Sequence, residues 1–143
     1  RALALTTEPA RRAVFIVGHG PNSAEDYAHW MKNLRRLADS VKTWGGFRDV
    51  RVDVVRDDAP EHVRAEAVLR VRELISMQRE ITGQQVLVVP LLVSKGSVSR
   101  DRIPNDLRGL DVTYAGEPLL PHASVSRWIE ARVREIAEQP QSR

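Results

Sequence analysis

The sequence contains no cysteine. Disulfides, thiolate nucleophiles and cysteine-ligated zinc or iron–sulfur centres are therefore excluded, and a cytoplasmic setting is the expectation that fits. No apolar run approaches the roughly 20 residues that span a bilayer, so no membrane partner is expected. Residues 1–12 lack the apolar core of a signal peptide. The first residue is Arg1, so a trimmed or excised segment is expected. Charge of one sign is not in strong excess: 22 Lys and Arg stand against 19 Asp and Glu, a net +3. The charges alternate along helices, as in Glu61, Arg64, Glu66, Arg70 and Glu73. That pattern reads as a solvated helix surface rather than a basic face for nucleic acid. Internal repeats and low-complexity tracts are missing as well.

What is present suits one soluble domain. The chain has 143 residues, 42% hydrophobic and 29% charged, enough to bury a core without staples. We read a single domain over 1–143, with tails at 1–12 and 138–143. Ala13-Val14-Phe15-Ile16-Val17 is a short apolar run bounded by glycine, the mark of a strand buried on both faces. Ser23 caps the next helix, with Asp26 at the capping-box position. From 24 to about 42, Tyr27, Trp30, Met31, Leu34, Leu37, Ala38 and Val41 recur on one helix face. Val50, Val52, Val54 and Val55 form a second strand. After the turn at Asp57-Asp58-Ala59-Pro60, with Asp58 or Ala59 near the cap and Pro60 in the first turn, a long helix carries Val63, Ala67, Val71, Leu74, Ile75 and Ile81. Residues 86–93 are a third strand, in which Pro90 fits only near the end, where pairing stops. A polar loop, a short helix from about Pro104, a weak strand at 112–115 and a helix opened by Pro121 complete the chain. That last helix is expected to turn Val125, Trp128, Ile129, Val133 and Ile136 inward, and Pro140 with the polar tail to end it.

Strands alternating with amphipathic helices imply right-handed crossovers and a parallel sheet covered on both faces. The expected fold is an α/β three-layer sandwich with a four-stranded parallel sheet. Ligands of such sheets bind beyond the carboxyl ends of the strands, so the loops at 18–22, 56–60, 94–102 and 116–122 are the ones to read. His19 stands between two glycines that permit unusual backbone angles and close ligand approach. A histidine there serves as general base, as metal ligand, or only as a hydrogen-bond partner of its loop. The same loop, with Gly20 and Asn22, leads into a helix start and favours anions. It carries neither the dinucleotide fingerprint nor a P-loop, so no nucleotide is expected. His122 and Glu117 lie in the fourth loop; they either join His19 in a metal site or cap the last helix. Lys95, Arg100 and Arg102 in the third loop would draw in a polyanionic ligand, or form an exposed basic loop. His29 and His62 read as surface histidines. No nucleophile elbow surrounds Ser94, Ser97 or Ser99, and no carboxylate pair suits glycoside chemistry.

Four segments carry a family resemblance. The first strand with Gly18-His19-Gly20, the run Val88-Val89-Pro90-Leu91-Leu92-Val93 before Gly96, the segment Ile103-Pro104-Asn105-Asp106-Leu107, and Glu117-Pro118-Leu119-Leu120-Pro121-His122 with Trp128-Ile129-Glu130-Ala131-Arg132 lie in order across about residues 13–137. In this combination the chain resembles the class II chelatases, the sirohydrochlorin cobalto- and ferrochelatases of cobalamin and siroheme synthesis. The resemblance implies a chelatase-like, flavodoxin-like topology. It implies insertion of Co²⁺ or Fe²⁺, as substrate, into a reduced tetrapyrrole without ATP. It also implies a homodimer, and it places His19 on the family's first-strand histidine, which binds metal and accepts pyrrole protons. The basic loop would meet the substrate carboxylates. Three positions depart from the family pattern. Val98 stands where the family has its second metal-binding histidine, Arg102 where it has the aspartate before Ile-Pro, and Pro21 where it has the serine after Gly-His-Gly. The missing ligand is either supplied by His122, Glu117 or a partner domain, or the reaction has been lost and a non-catalytic tetrapyrrole- or metal-binding homologue, or a bare interaction domain, remains.

Overall fold

The computed structural model describes residues 1–138. Strand β1 (Ala13–Gly18) is followed by α1 (Ala24–Gly45), β2 (Asp49–Val54), α2 (Glu61–Thr82), β3 (Val86–Leu91), α3 (Ile103–Asp106), β4 (Val112–Tyr114) and α4 (Ala123–Glu138). The four strands form one sheet in the order β2-β1-β3-β4, and every pairing is parallel. The expected α/β sandwich with flavodoxin-like strand order is therefore the fold. The chain leaves β1 toward β2 and then returns across β1 to β3, so the switch point lies at the carboxyl end of β1 beside β3.

β1 is buried along its whole length because it is paired on both edges and covered on both faces. Its side chains alternate between two cores. Val14 and Ile16 pack with Val50, Val52 and Val54 beneath Met31, Leu34 and Ala38 of α1. Ala13, Phe15 and Val17 pack with Val86 and Val88 against Val71 and Ile75 of α2 and Ile103 after the third loop. Pro90 lies opposite Val17, one residue from the end of β3. The β4 ladder has already ended at Val88, so the missing N–H costs no bond on that edge.

Local signals set the helix ends. Ser23 Oγ accepts from the Asp26 amide at 3.0 Å and donates to its carboxylate at 2.7 Å, and Gly46 closes α1 in the left-handed region. Pro60 is itself the N-cap of α2, one step later than expected, and no side chain caps that end.

Three expectations about packing are corrected. On α1, Trp30 and Leu37 lie outside the buried line of Met31, Leu34 and Ala38. On α2 the buried line runs through Ala67, Val71, Ile75, Gln78 and Thr82. Ile81 lies about 100° around the helix from Thr82 and is 62% exposed. Gln78, polar and fully buried, holds its place by donating to the Val14 carbonyl at 3.0 Å and to Asp49 at 3.1 Å. The third correction is α4, which buries none of its residues. Trp128, Ile129, Val133 and Ile136 all face outward. Residues 1–12, expected as a tail or edge extension, explain part of this. They form two short 3₁₀ turns, and Ala2 is buried in the α1-side core. Arg1 donates to the carbonyls of Pro118 and Pro121 and so pins the root of α4. Pro140 and the tail beyond it lie outside the described residues.

Phe15→Ala is expected to cost about 3–5 kcal/mol through lost burial and a residual cavity. Ile136→Ser is expected to change stability by no more than about 0.5 kcal/mol, because the side chain is already in solvent. Urea unfolding of the two variants checks both figures.

Candidate metal site at the end of the central strand

β1 ends by delivering His19 to the carboxyl edge of the sheet, and Val54 of β2 explains the glycines on either side. A Cβ on Gly18 would lie 3.1 Å from Val54, and one on Gly20 would lie 2.7 Å from it. Gly20 also has φ +86°, in the left-handed region. The backbone thus turns tightly over β2 while the histidine side chain, part-exposed, points beyond it.

The imidazole is oriented. His19 Nδ1 lies 3.1 Å from the Gly20 carbonyl. A carbonyl only accepts, so this contact is a hydrogen bond when Nδ1 carries the proton, and in neutral imidazole that leaves the Nε2 lone pair unprotonated. Nε2 lies 3.5 Å from Asp58 Oδ2. With Nδ1 protonated and the ring neutral, both atoms are acceptors, and a proton or a cation between them would satisfy the pair. Two donor atoms about 2.1 Å from a tetrahedral ion stand about 3.4 Å apart, close to the separation found.

Among the described residues, His19, Asp57 and Asp58 form the one cluster of three or more potential ligands, their atoms within 4.8 Å of one another. The two carboxylates differ. Asp58 is exposed, with 69% of its side chain open to solvent. Asp57 is buried and already occupied: Arg64 Nε donates to one oxygen at 3.1 Å and Arg102 Nη1 to the other at 2.5 Å. Arg64 also donates to Asp106 at 2.8 Å. Burial pushes the Asp106 carboxyl above its ordinary range, and Arg64 only partly opposes this. Asp57 therefore anchors the turn, and Asp58 is the carboxylate available to a ligand.

The other residues singled out from the sequence have different partners. Glu117 pairs with Lys95 at 3.3 Å, joining the third and fourth loops. His122 Nδ1 accepts from the Ser124 amide at 3.2 Å and caps α4. Neither belongs to the cluster around His19. Arg102 is held by Asp57, Arg100 is exposed, and the Asn22 carbonyl accepts from Arg56 at 2.5 Å. Val98 is packed against the α2-side core. The Tyr114 hydroxyl donates to the Ser99 carbonyl at 2.8 Å and ties β4 to the third loop. Asp58 escaped the sequence reading as a ligand, although two acids at the end of the strand beside β1 were a usable signal.

Two outcomes test this arrangement. Gly20→Ala is expected to cost about 1–3 kcal/mol, since alanine meets both the positive φ and Val54; thermal unfolding reads it. Burial pushes the Tyr114 phenol up to about 12, from an ordinary value near 10. The folded-state value is the higher one, so this stabilising contribution is present below about pH 10 and is lost as pH rises toward 12. Tyr114→Phe is expected to flatten stability against pH in that window.

No family model matches the chain, and a search of the curated proteins finds no match to it.

Proposed function

We propose that this domain receives a divalent metal ion at His19 and Asp58 and inserts it into a sirohydrochlorin-type tetrapyrrole, as the class II chelatases that its sequence resembles do. The observation that carries the reading is the position of His19 Nε2, 3.5 Å from an open carboxylate, with Nδ1 turned to the Gly20 carbonyl. One imidazole and one exposed carboxylate make a weak site. Weak holding suits an ion that must be handed on. Co²⁺ and Fe²⁺ are the ions implied by the resemblance, as substrates, and no nucleotide is involved.

The chemistry asked of the chain is limited. Inserting M²⁺ forms four metal–nitrogen bonds and releases two pyrrole protons. While Nε2 and the Asp58 carboxylate hold the ion neither is free as a base, so the first pyrrole proton passes to solvent. His19 becomes a base once the ion has left it. Arg100, exposed on the third loop, suits a substrate carboxylate. The same resemblance implies a homodimer, and the cysteine-free composition suits a cytoplasmic setting.

A second reading rests on Val98, which stands where the family has its second histidine and, partly buried, packs against the α2-side core. On that reading the domain binds the metal or the tetrapyrrole without turnover. Mixing the protein with Co²⁺ and sirohydrochlorin and following the absorbance change separates the two. Insertion faster than buffer is expected, with losses of roughly 100-fold in His19→Ala and at least about tenfold in Asp58→Asn. A wild-type rate equal to buffer would overturn the enzyme reading, and tetrapyrrole binding without insertion would favour the second.

A further inference from the structure

Arg56 is the one residue other than glycine with a positive φ among the described residues, at +51°. An arginine at a position that glycine would occupy freely is informative only through what its side chain does. Its Nε donates to the Pro21 carbonyl at 3.0 Å, and its Nη2 to the Asn22 carbonyl at 2.5 Å. The guanidinium lies 5.7 Å from the centre of the Tyr27 ring. The side chain thus crosses from the end of β2 and closes the loop that carries His19.

The backbone of the same residue does the matching job on the other loop. Its carbonyl accepts from the Ala59 amide at 3.0 Å and closes the turn that holds Asp57 and Asp58. One residue earlier, the Val55 amide donates to the Gly18 carbonyl at 3.0 Å. Both groups of the candidate cation pair therefore sit on loops joined through Arg56, the imidazole side by its guanidinium and the carboxylate side by its carbonyl.

We propose that Arg56 is a positioning residue: by clamping residues 21 and 22 against the turn at 56–59 it sets the separation of His19 Nε2 and the Asp58 carboxylate. This rests on the reading of that pair as a cation site. Arg56 lies outside the cluster of His19, Asp57 and Asp58. The guanidinium is spent on two backbone carbonyls, which separates its role from that of the loop cations.

The test uses Co²⁺ alone with the full chain, read by calorimetry and by the visible absorption of bound Co²⁺. Arg56→Gly keeps the positive φ without strain and removes the clamp together with the guanidinium's contact with Tyr27. It is expected to weaken Co²⁺ binding about tenfold, the lower end for losing a group that orients a ligand. In the His19→Ala background the same change is expected to alter binding less than about twofold, because a residue acting through His19 has nothing left to act on. Wild-type affinity in Arg56→Gly, or an equal loss in both backgrounds, would overturn the inference. Equal Co²⁺ binding by wild type and His19→Ala would instead sink the cation reading. The clamp is then judged without metal by ¹⁵N relaxation of residues 19–22. Lower backbone order in Arg56→Gly supports it, and unchanged order overturns it.

Discussion

Strand β1 is hydrogen-bonded to β2 on one edge and to β3 on the other, and no residue of it reaches solvent appreciably. A strand held in this way cannot slip by one residue without moving Val14 and Ile16 from one core to the other and exchanging them with Phe15 and Val17. Its register is therefore set by both cores at once. Because His19 follows directly on Gly18, its place at the sheet edge inherits that precision. Gly18 and Gly20 let the chain pass over Val54 at a distance that a Cβ would not allow. The site is an extension of the best-fixed element of the fold.

Around that strand, charge is buried in an ordered way. Asp57 takes one guanidinium from α2 and one from the third loop, while Asp106 shares Arg64 with it. Asp53, farther back on β2, is held by Arg70 of α2 and by the Tyr27 hydroxyl of α1. A buried carboxylate without partners would be costly, so each acid specifies which side chains must approach it. The result is that the end of β2 is tied to both helix layers, and the turn at 56–59 stands at a defined height beside His19. Arg56 adds the last tie, between two loops that no ladder connects.

The opposite end of the chain follows a different logic. α4 is amphipathic in sequence, yet the structure leaves its apolar side exposed. Part of the sheet face beside β3 is taken by the first residues, with Ala2 in the core and Arg1 holding the carbonyls before α4. Periodicity records that a helix has an apolar face. It does not record whether a neighbour has room for it.

The sequence by itself determined the order of elements, the parallel sheet and the delivery of His19 to the carboxyl edge. Those features rest on short-range signals: runs of β-branched residues, helical periodicity, caps and glycines. Helix phase was legible for Met31, Ala67, Val71 and Ile75, but not for Gln78, whose burial depends on an acceptor on β1 that lies 64 positions away in the chain. The site was half legible. The rule about strand ends marked His19 and marked the turn at Asp57-Asp58, but Glu117 and His122 seemed equally placed. Only the tertiary structure shows which of them stand beside the imidazole. It spent Glu117 on Lys95 and His122 on a helix cap, buried Asp57 between two arginines, and left Asp58 facing the imidazole. The reason is that β2 lies beside β1 whereas β4 is separated from it by β3, an adjacency set by packing across the sheet rather than by spacing along the chain.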